Sequence, residues 1–306
     1  MNIRNGFAHK SIDWVDVSSE KIEEVSSLHE TYGISNEVVA YSLDKNEKAH
    51  VEYDELSNTF LLIYNVPYQQ KIDNHYETGP MTFLIKDNHL ITISNDKTEY
   101  IAEKMRRFLD HNPGFSLYRF LFCSLFLISD TFFPLVEEVS EKTKLVNHKL
   151  REKTTNKNIL ELSDLEIGLV YLLMASKQNV VLLEQLKAHS VFRMLTEVEK
   201  EQLDDAMIEA RQLVEMAQIS SQILQQLSGT YNNILNNNLN DIIRTLTVLS
   251  ILLTIPTIVA GFFGMNMPLP LESNNLGWIF SILISFILCF GLGFIIRKLL
   301  HRNNKK

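Results

Sequence analysis

Two long uncharged runs stand out near the C-terminal end of the chain, at residues 245–271 and 273–296. A helix needs about 20 apolar residues to cross the hydrocarbon core of a bilayer, so each run is long enough to cross once. The stretch 264–276, which overlaps the adjoining ends of both runs and includes Glu272, contains two prolines and several polar residues, which is typical of a loop. The pattern therefore predicts two transmembrane helices, 244–263 and 277–296, joined by a short extracellular loop.

Hydropathy alone leaves the role of this pair open, because a hairpin that merely anchors an unrelated domain would show the same pattern. A third apolar run, 120–129, is bounded by Arg119 and Asp130. It is too short to span a bilayer, so we expect it to form a buried helix.

The first hundred residues show the mixed pattern of an α/β domain. Two amphipathic segments, 18–33 and 36–44, predict short helices. Short runs rich in β-branched and aromatic residues, separated by turn residues, predict strands at 50–56, 59–66, 81–87 and 89–94. From about residue 97 the strand pattern stops and helical periodicity dominates. We therefore assign residues 1–195 to an α/β head with a helical hairpin.

Two segments have the Ser/Thr-x-x-Glu form of a capping box, which predicts helix starts at Ser163 and Thr196. After Thr196 no proline occurs up to Ile255, and Gly229 is the only glycine in that stretch. One helix is therefore predicted to form a stalk, 196–243, and to continue into the first span. At 1.5 Å per residue such a helix would be roughly 100 Å long.

The stalk carries a seam of positions spaced alternately by three and four residues, nearly all apolar or aromatic. The seam comprises Leu203, Ala206, Ala210, Leu213, Ala217, Ser220, Leu224, Leu227, Tyr231 and Ile234. A sustained heptad pattern requires partner helices. We expect other copies of the chain to supply them; the alternative is that the seam packs within its own domain.

The charge of the chain argues against one class of protein and also indicates the orientation of the two spans. The chain has 306 residues, is 45% hydrophobic and has a formal net charge of -8, which argues against a nucleic-acid binder. The tail, 297–306, holds five Lys/Arg and no acid, so the positive-inside rule places it in the cytoplasm. Two crossings put the N-terminal head on the same side, and the first residues do not resemble a signal peptide. We expect a two-span protein of the cytoplasmic membrane with both termini in the cytoplasm.

Polar and small residues form one stripe along the first span, while the other faces hold Leu, Ile, Val and Phe. The stripe comprises Asn240, Ile243, Leu246, Ser250, Thr254, Thr257, Gly261 and Gly264. Polar groups in hydrocarbon are costly unless they face protein or a water-filled cavity. The stripe is therefore either a packing face between helices or one wall of a path enclosed by several copies.

The tripeptide Gly264-Met265-Asn266, preceded by Ala-Gly-Phe-Phe, lies at the external end of the first span. It resembles the Gly-Met-Asn signature of the CorA family of divalent-cation transporters. Its position strengthens the resemblance, because a short loop, a final span and a basic C-terminus follow it, and a long acidic helical head precedes it.

The resemblance implies a funnel-shaped homopentamer with an α/β/α cytoplasmic head, a stalk helix that becomes the pore-lining span, and an outer second span. It also implies passive entry of Mg²⁺, with Co²⁺ and Ni²⁺ as further substrates. Asn266 would present a ring of side-chain carbonyl oxygens, with Gly264 and Met265 completing the selectivity filter. Mg²⁺ dehydrates reluctantly, so neutral oxygens that bind its water shell can select it.

By the same resemblance, Thr257 and Thr254 would continue the polar path below the filter. Leu246 and Ile243 would form the hydrophobic constriction, and Asn240 would form the cytoplasmic mouth.

The family also implies regulatory Mg²⁺ bound between neighbouring heads. Asp205 on the stalk, with Asp204 beside it, lies where one ligand is expected, and Asp96 and Glu99 are candidates from the facing subunit. Carboxylates suit a hard cation, but acidic residues on an exposed helix can also be merely solvated. Glu272 either attracts cations to the pore entrance or marks the membrane boundary.

No phosphate-binding loop, nucleophile elbow or metal-ligating histidine spacing is present, so the sequence supports neither an enzyme nor an organic cofactor. Two alternatives remain. One is a zinc transporter of the same superfamily, against which Met265 argues. The other is a membrane-tethered oligomeric scaffold without a pore.

Overall fold

The structure, a computed structural model, describes residues 2–5, 13–20, 22–44, 47–54, 58–265 and 277–303. The chain divides into two compact units, residues 1–229 and 230–306. The division falls inside the long helix, whereas the sequence placed its domain boundaries at 195/196 and 243/244.

A six-stranded sheet forms the centre of the first unit, in the order β1-β2-β6-β5-β4-β3. The strands are β1 Asn2–Asn5, β2 Asp13–Ser18, β3 His50–Asp54, β4 Thr59–Pro67, β5 Thr78–Lys86 and β6 His89–Ser94. Strand β2 pairs parallel with β6, and the other neighbours are antiparallel. Strands β3 to β6 confirm the prediction. The sequence did not predict β1 and β2, because the partner that orders β2 lies some seventy residues further along the chain.

Helices cover both faces of the sheet. Helices α1, Ile22–Tyr32, and α2, Asn36–Leu43, bury Val25, Leu28 and Val38 in a cluster with Ile63 and Ile91. On the opposite face lie α3, Glu99–His111, α4, Leu117–Glu152, and α5, Asn156–Ala188. There the Trp14 ring meets the edge of Phe120 at 5.4 Å, and the Tyr64 hydroxyl lies 3.1 Å from that of Ser129. The predicted α/β/α layering is confirmed.

The apolar run at 120–129 is the buried first third of α4, where Phe120, Leu121 and Phe122 are fully buried. Although α4 is long and apolar enough to cross a bilayer, 61% of its most apolar window is buried in the protein. The helix start predicted at Ser163 was wrong. Helix α5 begins at Asn156, where the Thr155 hydroxyl accepts a hydrogen bond from the Asn158 amide, and Ser163 lies in the helix interior.

A short helix, α6 at Ser190–Met194, leads into α7, Glu197–Phe263. Here the predicted capping box is present. The Thr196 amide donates to Glu199 at 2.8 Å, and the Glu199 amide donates to the Thr196 hydroxyl at 3.4 Å. Because the box satisfies amides that the first turn leaves unpaired, it fixes the start of the helix.

The heptad seam of α7 is buried by the chain's own helices from Leu203 to Leu224. Leu203, Ala206, Ala210, Leu213, Ala217 and Leu224 are each at most 1% exposed. Ser220 contacts Ser140 of α4 at 2.9 Å, and Arg211 pairs with Glu184 of α5 at 2.7 Å. For the positions from Leu203 to Leu224, the expectation that partner copies cover the seam was therefore wrong; Ile234, at its lower end, is exposed. A different face of α7, with Ile208, Ile219 and Ile223, is exposed.

The second unit consists of the last part of α7 and of α8, Gly277–Asn303. The most apolar windows of α7 and α8 are 6% and 0% buried, which leaves almost all of their apolar surface open to a bilayer. Helix α8 runs past Ile296 into the basic tail, so the tail begins as helix.

Candidate functional site

The contact between α7 and α8 fixes the direction of the polar stripe. On α7, Val259 is buried, and Val248, Leu252 and Ile255 are half-buried. These positions recur every three or four residues and form the face that packs on α8. At 100° per residue, Ser250, Thr254, Thr257 and Gly261 lie within about 50° of the opposite direction. The stripe therefore faces away from the second helix of its own chain.

All of the predicted pore residues from Asn240 to Gly261 are exposed. Ile243 and Leu246, in the predicted constriction, are 51% and 62% exposed, so the described residues leave much of both side chains uncovered. The stripe is thus an exposed face that is polar or small from Ser250 to Gly261 and apolar at Ile243 and Leu246.

The hydroxyl groups of the stripe donate hydrogen bonds to backbone carbonyls of their own helix. Ser250 donates to the Leu246 carbonyl at 2.9 Å, Thr254 to Ser250 at 2.9 Å and Thr257 to Leu253 at 3.0 Å. Each hydroxyl oxygen keeps its lone pairs free to accept a further hydrogen bond. The exposed stripe is therefore a row of acceptors.

The helix end next to the signature tripeptide is tight. The Gly264 amide donates to the Ala260 carbonyl at 2.9 Å, and a Cβ at Gly264 would lie 3.1 Å from the same oxygen. Glycine is thus favoured at this position by close backbone approach. Met265 is half-exposed, whereas Asn266 and Glu272 lie outside the described residues.

The candidate regulatory carboxylates fall on two separate elements of the head. Asp204 is engaged by Lys187 of α5 at 2.6 Å, whereas Asp205 is exposed. Asp96 precedes α3 and Glu99 is its first residue, and both are exposed. In the described part of the chain, no hydrogen bond or ion pair connects the two elements at these residues, and no group of three or more His, Cys, Asp or Glu side chains could hold a metal ion.

The sequence did not reveal a pair of neighbouring carboxylates, Glu209 and Asp130, close to Asp205. Glu209 lies one turn further along α7, near Asp130 of α4. Burial raises the pKa of Glu209, and the negative charge of Asp130 raises it further. Only the packing of α4 on α7 brings these two carboxylates together, so no local sequence signal could have shown the pair.

Comparisons with known proteins agree with the layout of the chain. A family model described as a CorA-like Mg²⁺ transporter protein matches residues 9–298. The cobalt/magnesium transport protein CorA of Methanocaldococcus jannaschii is 25% identical over 291 residues, which cover 90% of this chain and 88% of that protein.

Solved structures extend the likeness to the fold. The complete structure of the CorA magnesium transporter from M. jannaschii superposes with a TM-score of 0.78 at 22% identity, covering 96% of this chain and 93% of that one. The full-length CmaX protein gives a TM-score of 0.66 at 10% identity, covering 92% and 88%.

The family match spans nearly the whole chain, from the sheet of the head to the end of the second apolar helix. The chain therefore belongs to the CorA family and is a divalent-cation transporter of the membrane, in a family of transporters rather than enzymes.

Proposed function

We propose that the protein is a homopentameric channel through which Mg²⁺, and also Co²⁺ and Ni²⁺, enters the cytoplasm passively. The observation that carries the proposal is the direction of the polar stripe, which faces away from α8. Facing lipid, the hydroxyl oxygens would leave their acceptor lone pairs without partners, whereas copies arranged around an axis would enclose the stripe as a wet path. One chain supplies one wall, so conduction requires the oligomer.

The chemistry of the stripe suits a hydrated cation. The water shell of Mg²⁺ presents hydrogens outward, and the stripe presents acceptor oxygens whose own protons are already used by the helix. Because Mg²⁺ releases its waters reluctantly, a path that binds the shell can pass the ion without stripping it. Leu246 and Ile243 then form a constriction that closes by dewetting, with Asn240 at the cytoplasmic mouth.

The filter is assigned to Gly264, Met265 and Asn266 at the external end of the path. The close approach of Gly264 to the Ala260 carbonyl supports a compact turn here. Asn266 would supply the ring of amide oxygens, and Glu272 would attract cations to it.

Neighbouring heads are proposed to meet on the exposed face of α7. Asp205 lies three residues before Ile208 and therefore on the same side of the helix. A neighbour docked on this face could bring its Asp96 and Glu99 towards Asp205, while Asp204 stays paired with Lys187. Mg²⁺ bound there would hold the closed state.

The spans 244–263 and 277–296 are proposed to place both termini in the cytoplasm. The apolar surface of both helices is open, and the basic residues that follow the second span favour the inner side.

Uptake into proteoliposomes tests the stripe. Thr254→Val with Thr257→Val removes two acceptors at nearly constant shape and should lower Mg²⁺ uptake several-fold. Thr245→Val removes a hydroxyl from another face of α7 and should leave uptake within about twofold of the parent. Equal effects of the stripe and control variants would refute the wet path.

The filter is tested in the same assay. Asn266→Ala should reduce Mg²⁺ uptake and its competition by cobalt hexaammine, which resembles the hydrated ion; unchanged uptake and competition would refute the assignment. Uptake of Zn²⁺ in preference to Mg²⁺ would indicate a zinc carrier. An assembled protein that passes no ion would indicate a scaffold.

A further inference from the structure

Pro256 leaves one carbonyl of α7 without its helical partner. Proline has no N–H, so the bond that residue 256 would donate to the carbonyl of Leu252 cannot form. Helix α7 nevertheless continues through Pro256 to Phe263. Water is scarce in the hydrocarbon core, and an unpaired carbonyl there is costly.

Cys289 of α8 donates to this carbonyl. Its Sγ lies 3.4 Å from the Leu252 oxygen. One turn further along α8, a Cβ at Gly293 would lie 3.9 Å from the Leu252 side chain, so Gly293 faces Leu252 at this level. The Cys289 thiol thus donates to the carbonyl of Leu252, which lacks its helical partner because Pro256 has no N–H.

Other polar side chains along the contact are already engaged. A crevice of about 390 Å³ between the helices is lined by Pro256 and Val259 and also by Ser281 and Ser285. Ser281 donates to the Trp278 carbonyl and Ser285 to the Ser281 carbonyl, both within α8. Among the described lining residues, Cys289 is therefore the side chain that donates a hydrogen bond from α8 to α7.

We propose that Cys289 is a positioning residue that replaces the backbone donor lost at Pro256 and fastens α8 to α7 at Leu252. Leu252 lies on the α8-facing side, and Thr254 lies two residues away on the opposite side. The thiol thereby fixes the direction in which the stripe hydroxyls point. The effect on conduction rests on the proposed function, but the contact itself does not.

A double-mutant cycle isolates the hydrogen bond. Cys289→Ala removes the donor and should lower the melting temperature of the detergent-purified full-length protein by about 3 °C. Pro256→Ala supplies an N–H to the Leu252 carbonyl, so in that background Cys289→Ala should cost less than half as much. Cys289→Ser keeps a donor and should retain most of the parent's stability. Equal losses in the two backgrounds would show that the thiol only fills space and would overturn the proposal.

Infrared spectroscopy gives an independent signature. The parent spectrum minus that of Cys289→Ser isolates the S–H stretch of Cys289, which a hydrogen bond lowers in frequency. Pro256→Ala should raise that frequency, and an unchanged band would overturn the proposal.

Ion flux separates this inference from the proposed function. Coupling between Pro256 and Cys289 in a protein that passes no ion would uphold the contact and refute the channel. A protein that conducts Mg²⁺ but shows no coupling between Pro256 and Cys289 would uphold the channel and refute the contact.

Discussion

At the scale of single residues, Glu138 of α4 connects that helix to the segment between β4 and β5. Its carboxylate accepts hydrogen bonds from the Tyr76 hydroxyl at 2.5 Å and from Lys142 at 2.6 Å, and it lies 3.2 Å from the Lys71 ammonium. Burial alone would raise the pKa of Glu138, but the three donors outweigh burial and hold it at about 2. The segment between β4 and β5 is thereby fastened to α4.

This contact predicts an acid-dependent loss of stability. Because the folded pKa lies below the ordinary value of 4.5, the contribution of Glu138 is complete above about pH 4.5 and is lost as the pH falls towards 2. Glu138→Gln should lower the melting temperature of the protein at pH 7 modestly, because the group is partly exposed, and the difference should shrink at acid pH. Thermal unfolding at several pH values measures this. Glu141→Gln, an exposed neighbour on α4, is the matched control and should leave the pH profile of the parent unchanged.

The proposed role of Asp205 in closing the channel at high internal Mg²⁺ can be tested by mutation. Asp205→Ala should leave Mg²⁺ uptake active at internal Mg²⁺ concentrations that silence the parent, because the exposed carboxylate would no longer bind the closing ion. Uptake into liposomes preloaded with graded Mg²⁺ measures it. Glu215→Ala, also exposed on α7, should behave as the parent does. Equal inhibition of Asp205→Ala and the parent would reject the site.

At the scale of elements, buried alanines form part of the face on which α7 packs in the head. Ala206, Ala210 and Ala217 are at most 1% exposed and lie on the face of α7 that packs on the helical hairpin. Because protein interiors are close-packed, a larger group at these buried positions has no room.

Enlarging one of these alanines tests the packing. Ala210→Leu should destabilise the head by about 1–3 kcal/mol through overpacking. The exposed Ile208→Leu on the same helix should change stability little. Thermal unfolding of the two variants gives the comparison, and an Ala210→Leu protein as stable as the parent would show that the seam is loosely packed.

At the scale of the whole molecule, assembly must use a surface other than the seam between Leu203 and Leu224, because the chain itself buries those positions. Ile208, Ile219 and Ile223 are about half exposed or more, which is unusual for isoleucine along one helix face. We assign contact between copies to this face.

Charge on this face should weaken assembly. Ile219→Asp with Ile223→Asp should reduce the oligomer mass measured by light scattering in detergent, while circular dichroism shows the helix content of the parent. Leu160→Asp, at an equally exposed leucine of α5, should leave the mass unchanged. An intact oligomer in the Ile219/Ile223 variant would place the contact elsewhere.

Features that depend on one stretch of chain could be predicted. The strands β3 to β6 follow from β-branched runs and turn residues, and the start of α7 follows from Thr196 and Glu199. Ser163 shows the limit of such signals. It has the same capping pattern as Thr196, but Thr155 starts the helix eight residues earlier, and the hydrogen bonds of the continuing helix prevail.

The candidate site was predictable only as a set of residues along one helix. The sequence by itself determined which positions of α7 are polar and that two apolar helices close the chain, because length and apolarity are properties of single segments. Tertiary structure decided that the stripe faces away from α8, that Cys289 meets the Leu252 carbonyl, that Lys187 engages Asp204, and that α4 and α5 bury the heptad seam from Leu203 to Leu224. Each of these depends on contacts between residues far apart in the chain, and a periodic pattern specifies that a face must be covered but not which partner covers it.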